Sequence, residues 1–167
     1  MLKEVDLKGA YRVTPTGLYL YSTARGDKRN VQFAFRALGI SDDPPLLLVC
    51  VQDKNYSLGL IRETREFVLN ACSEKQLDAI DKSRGLTGRT VEDKFEALGF
   101  ETQPAKYVKA PLVKGCHANV ECRVLNEMEA EGVTIFLARA LACHLDSDLP
   151  PVGRLAGKTY RFDGPID

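Results

Sequence analysis

Eight consecutive residues, Lys82-Ser83-Arg84-Gly85-Leu86-Thr87-Gly88-Arg89, hold three cations, two hydroxyls and two glycines. That mixture suits an anion, because glycines let backbone N–H groups approach a phosphate unhindered while the cations neutralise it. The same composition also describes a solvated, mobile loop, and both readings stay open. Arg36 raises a second question. It follows Phe33-Ala34-Phe35, where the pattern predicts a buried barrel edge, and a buried guanidinium requires an anion. Asp42, Asp43 or a ligand phosphate would each serve. Metal chemistry has less to work with. Besides Cys116 and Cys122 there are two histidines, His117 and His144, and adjacent ligands on a strand point to opposite faces. Free thiols, a surface His117 and a loop His144 are the expectation. No GxxxxGK[ST] loop, strand-to-helix GxGxxG, GxSxG elbow or HExxH occurs, so the chemistries those motifs carry lack their residues.

A mostly extended chain must position these side chains. Residues 18–23 follow Pro15 and Gly17 and are rich in β-formers, Arg25-Gly26-Asp27-Lys28 reads as a turn, and residues 30–35 resume an extended pattern. After a reversal at Gly39, the apolar run 46–51 predicts a strand covered on both faces. Residues 57–65 predict a helix and 66–70 a strand. Ser73-Glu74-Lys75-Gln76 has capping-box form ahead of a helix over 74–81. Thr90 is expected to cap a short helix that Gly99 ends. Strands are expected at 112–113, 118–125, 133–142 and 158–162, with Val120, Cys122 and Val124 alternating against Glu121 and Arg123. Many strands without a βαβ rhythm predict a mainly β fold, a closed or nearly closed antiparallel barrel with peripheral helices.

The chain has 167 residues, 44% hydrophobic and 28% charged, which suits one globular domain over 1–167 with a core that needs no staples. Lys+Arg and Asp+Glu are equal at 23 each. Without a basic excess, the composition offers no support for nucleic-acid binding. The longest apolar run, 46–51, falls far short of the ~20 residues of a membrane helix, and no signal-peptide pattern opens the chain. Five cysteines without a CxxC pair predict reduced thiols and a cytoplasmic protein.

The order of the segments resembles the flavin reductase-like family, the FMN-binding split β-barrels. The pieces are Thr14-Pro15, then Arg29-Asn30-Val31-Gln32-Phe33-Ala34-Phe35, then Ser41-Asp42-Asp43-Pro44-Pro45 before an apolar strand. They continue with Ser57 opening a helix that leads into Glu66-Phe67-Val68-Leu69-Asn70, then Glu92-Asp93-Lys94-Phe95 before Gly99. Ala118-Asn119-Val120-Glu121-Cys122-Arg123-Val124 and Ile135-Phe136 complete the series, which covers about residues 11–162. The resemblance implies a homodimer that binds FMN near the subunit interface. It places Gln32, Phe33, Ala34, Phe35, Arg36 and Ser41 at the flavin. Ser57 would stand at its phosphate, with Lys54 and Asn55 beside it, where a helix N-terminus favours an anion. Residues 46–51 and 118–125 are the expected dimer surface.

Two departures bear on activity. Many family members carry small hydroxyl residues and an asparagine where this chain has Phe33, Phe35 and Arg36. Many also carry Gly-Asp-His before the Ile-Phe strand, and Val133 stands at that histidine's position. The first expectation is an FMN-dependent oxidoreductase that moves reducing equivalents from NAD(P)H to an acceptor, which could be a protein. Lys82, Arg84 and Arg89 would then meet the nicotinamide nucleotide's pyrophosphate. The second is an FMN-holding electron carrier without a nicotinamide site. A haem- or ligand-binding barrel comes third, with His117 and His144 alone as axial candidates.

Overall fold

The computed structural model describes Asp6, Ala10 and residues 12–164. Its strands are β1 (Thr16–Gly17), β2 (Tyr19–Arg25), β3 (Lys28–Ala34), β4 (Ala37–Asp42), β5 (Pro45–Gln52), β6 (Glu66–Ala71), β7 (Thr102–Gln103), β8 (Leu112–Val113), β9 (Ala118–Ala130), β10 (Val133–Leu145), β11 (Val152–Leu155) and β12 (Lys158–Arg161). The helices are α1 (Tyr56–Thr64), α2 (Leu77–Lys82) and α3 (Lys94–Leu98). Seven strands form one antiparallel sheet in the order β3-β2-β6-β9-β10-β5-β4. Its edges β3 and β4 are consecutive in sequence but not paired, so the barrel is split there. Phe35-Arg36 crosses the gap, and the Arg36 carbonyl accepts from Tyr21 Oη at 2.7 Å and from the Cys50 amide at 3.1 Å.

Alternation along the strands builds two cores. Tyr21, Val49, Val51, Phe67, Leu69, Cys122 and Phe136 point into the barrel, where Leu58 and Ile61 of α1 complete the packing. Burying side chains of this size contributes roughly 1.5–3 kcal/mol each. Leu18, Leu20 and Val31 point the other way, against Ala79 of α2 and Phe95 and Leu98 of α3. Strand β2 is therefore buried on both faces. Strand β5 is not: Leu47, Val49 and Val51 are buried, while Leu46, Leu48 and Cys50 are half-buried on the outer face, contrary to the expected two-sided burial.

Other local expectations divide similarly. The capping box is present, with Gln76 Oε1 accepting from the Ser73 amide at 2.9 Å, although it opens a 3-10 turn that leads into α2. Gly99 ends α3 at φ 72°. The cap of α3 is Asp93 rather than Thr90, because Asp93 Oδ1 accepts from the Phe95 amide at 2.8 Å while Thr90 closes a turn with Thr87. Gly39 lies within β4, and the reversal falls at Asp43-Pro44 instead. Arg36 is exposed, because the split leaves its side chain outside the barrel wall. Among the described residues, no helix is long and apolar enough to cross a membrane.

Candidate functional site

Strand β3, the β5–α1 junction, the 83–89 loop and the start of α3 enclose a cavity of about 210 Å³. Asn30 and Gln32 reach it because alternate residues of a strand share a face. Lys54, Asn55 and Tyr56 reach it from the entrance to α1, whose N-cap is Asn55 and whose first turn turns its positive dipole end that way. Asp93 brings in the fourth wall. It caps α3 and pairs with Arg29 of β3 at 2.5 Å, while the Arg29 guanidinium lies 5.1 Å from the Phe95 ring centre. The next residue, Lys94, is thereby fixed on the cavity wall.

Two polar groups there lack the partners their burial calls for. Asn30 Nδ2 donates to Ser57 Oγ at 2.8 Å, but the buried Asn30 Oδ1 has no hydrogen-bond partner. Leaving a buried acceptor unpaired costs roughly 1–3 kcal/mol. Lys94 is 7% exposed and makes no ion pair among the described residues. Burial pushes its ammonium pKa below the usual lysine value. One cavity therefore offers an acceptor that needs a donor and a cation that needs an anion.

The 83–89 loop closes over this wall. A Cβ at Gly88 would fall 2.2 Å from the Tyr56 ring and 2.8 Å from Asn30 Oδ1, so only glycine permits the approach. Arg89 ties the loop down, donating to the Lys54 carbonyl at 3.2 Å with its guanidinium 5.6 Å from the Tyr56 ring centre. A second, more apolar cleft of about 440 Å³ adjoins the first and shares Phe33 and Ser83 with it.

The sequence-based candidates fall into three groups. Gln32, Phe33, Lys54 and Asn55 line the first cavity, and Ser57 lies fully buried behind it, joined through Asn30. Phe35 and Arg84 line the second cleft. Ala34 belongs to the barrel core, while Arg36, Ser41 and Lys82 line neither cavity. Sequence reasoning missed the convergence of Asn30, Lys94 and Tyr56. The Asp-Lys-Phe segment carried the signal for Lys94, but it reads equally as a plain helix start.

Both histidines have structural partners. His117 Nδ1 lies 2.7 Å from the Leu149 carbonyl, and His144 Nε2 lies 2.8 Å from Glu121 Oε1. Among the described residues, no group of three His, Cys, Asp or Glu could hold a metal ion. Glu121 is fully buried and also accepts from the amides of Lys106, Tyr107 and Val108. Burial alone would raise its carboxyl pKa, but these bonds outweigh it and hold the carboxyl below its ordinary value.

The model of the flavin reductase like domain matches residues 11–161. The chain belongs to the flavin reductase-like family. An uncharacterized protein of Archaeoglobus fulgidus is 36% identical over 115 residues, covering 69% of this chain and 64% of that protein. The reductase subunit of a stachydrine N-demethylase from Rhizobium meliloti is 28% identical over 137 residues, covering 81% of this chain and 56% of that protein. The chain thus spans between about half and two thirds of the length of these relatives. Among solved structures, a Streptomyces globisporus NADH:FAD oxidoreductase superposes with a TM-score of 0.84 at 20% identity, over 98% of this chain and 99% of that one. Flavoredoxin from Methanosarcina acetivorans gives 0.84 at 18% identity, over 99% and 95%. These likenesses show the fold, a mainly β split barrel. Membership of the flavin reductase-like family supports a flavin-linked oxidoreductase function.

Proposed function

We propose that this flavin reductase-like chain, acting as one domain over its 167 residues, binds FMN and moves reducing equivalents from NAD(P)H to an acceptor. The observation that carries the reading is the pairing of Lys94 with the orphaned Asn30 Oδ1 in one cavity. A ribityl phosphate presents what both lack, an anion and hydroxyl donors on a single tail. Lys94 would neutralise the phosphate, aided by the N-terminus of α1 and by Lys54. Asn30 would accept from a ribityl hydroxyl, with Ser57 holding its amide in register. Phe33 and Tyr56 would supply apolar walls. Bound FMN supplies two-electron redox chemistry, and the protein's part is to bind, orient and desolvate it. No side-chain acid or base is required.

The nicotinamide nucleotide would meet the cations of the neighbouring loop, Arg84 and Arg89 foremost, with Lys82 at its edge. A homodimer in the cytoplasm completes the proposal, with an electron-accepting protein as the alternative to release of reduced flavin. The carrier reading is favoured by one observation: Val133 lies at the β9–β10 turn, paired with Gln52 and Ala130, and lines neither cavity. It can donate no side-chain hydrogen bond to a nicotinamide.

Titration of the purified chain with FMN and riboflavin, followed by anaerobic mixing with NADH and NADPH, tests both readings. Preferential FMN binding and flavin bleaching by either nucleotide, slowed by salt because loop cations are screened over ~10 Å at 0.1 M, support the oxidoreductase. FMN binding without bleaching selects the carrier. Failure to bind FMN refutes both.

A further inference from the structure

The second cleft has a chemistry of its own. Its described lining includes Arg12, Arg84 and Arg154 and no carboxylate, set against Phe33, Phe35 and Ile80. Arg154 lies 5.6 Å from the Phe35 ring centre and donates to the Gly157 carbonyl at 2.6 Å, so its guanidinium is held in place beside an aromatic face. Arg84 pairs with Asp81 at 3.0 Å, with the two side chains 79% and 85% exposed. An ion pair that exposed contributes little and yields readily to a better anion.

We propose that this cleft selects a nicotinamide dinucleotide bearing a 2′-phosphate, NADPH over NADH. The inference rests on the oxidoreductase reading and names the substrate class of that site. Charge decides between the two nucleotides. A pyrophosphate carries two negative charges, which three guanidinium groups exceed. A phosphomonoester adds about −1.5 to −2 at neutral pH and brings the sum near balance. Sites that prefer the free ribose hydroxyl commonly place a carboxylate against it, whereas an arginine accommodates the 2′-phosphate. The cleft holds the second kind of group and not the first. Guanidinium groups match phosphate oxygens two at a time, which adds geometric selectivity to charge. The Phe33–Phe35–Ile80 wall offers an apolar surface for an adenine, and the shared Phe33 and Ser83 make the cleft continuous with the proposed flavin cavity.

The test is calorimetric binding of 2′,5′-ADP and 5′-ADP to the whole chain, with and without FMN. We expect 2′,5′-ADP to bind about tenfold or more tightly, the scale of one charge-assisted pair. Arg84→Ala should remove most of that difference while leaving FMN titration unchanged, and the exposure of Arg84 makes misfolding no obstacle. Arg154→Lys, which keeps the charge and loses the fork, should weaken 2′,5′-ADP more than 5′-ADP. Equal binding of the two nucleotides would overturn the proposal and leave a site for the adenosine half of any dinucleotide, FAD included. Equal losses for both nucleotides in the variants would overturn it as well. Because the comparison is also read without FMN, a chain that failed to bind flavin would still decide this question separately.

Discussion

Lys94 shows how a single side chain can cost a fold stability and give it a ligand. Its lowered pKa means that the unfolded chain holds the proton more tightly than the fold does. Raising the pH through the interval between the two pKa values should therefore stabilise the flavin-free protein, and Lys94→Met should raise its Tm while flattening that dependence. The same variant should weaken FMN about tenfold or more and leave riboflavin, which lacks the phosphate, unchanged. Thermal scans and paired titrations check both parts. Ser57 behaves differently, because its buried hydroxyl accepts from Asn30. Ser57→Ala should weaken FMN and riboflavin alike, whereas Arg36→Ala, outside both cavities, should alter neither. A loss confined to FMN in Ser57→Ala would show direct phosphate contact instead.

Among the elements, the segment 104–111 depends on one carboxylate. Residues Ala105, Val108 and Ala110 pack over Val68 and Leu141 on the outer face of the sheet, and Glu121 pins the segment there through three consecutive amides. Glu121→Ala would orphan those amides at a cost on the order of 3 kcal/mol or more. Because the folded carboxyl pKa lies below the ordinary ~4.3, its contribution is full above that value and is lost as the pH falls through the lowered pKa. Tm against pH should therefore fall more steeply below about pH 4 in the wild type than in Glu121→Gln. The 83–89 loop has a comparable constraint in Gly88. Gly88→Ala should push the loop off Tyr56 and Asn30, lowering Tm and weakening FMN together, as parallel melting and titration would show.

At the scale of the whole molecule, the outer wall is covered unevenly. Helices α2 and α3 cover β2 and β3, but none covers β4, β5 and β10. There Leu38 stands opposite Leu48, which stands opposite Leu137, with Cys50 opposite Ile135, and Leu38 and Ile40 are 64% and 45% exposed. A ladder of apolar side chains facing water favours burial against a symmetric copy. Sedimentation should give a dimer of the 18.5 kDa chain, and Leu38→Lys should shift it toward monomer. A wild-type monomer at micromolar concentration would refute this. Of the two segments expected at the dimer surface, the exposed ladder runs through 46–51.

Local interactions were legible from the residues themselves. The Ser73–Gln76 capping box, the Arg25–Lys28 turn, the Gly99 helix stop and the alternation of β9 each depend on neighbours a few positions apart. The ordered motifs also identified the family and its split barrel. Which face of a strand is covered could not be read this way. The run 46–51 has the same composition whether a helix or only solvent lies against Leu46 and Leu48, and Arg36 was expected inside because the split in the wall is not a local feature. Nor could the chain order show that Lys94 stands with Asn30, since that meeting depends on the Arg29–Asp93 pair and on Phe95 packing against β2 and β3. Periodicity and caps record short-range preferences in the sequence. The cavity, its unpaired oxygen and its desolvated cation come from long-range packing, which only the tertiary structure decides.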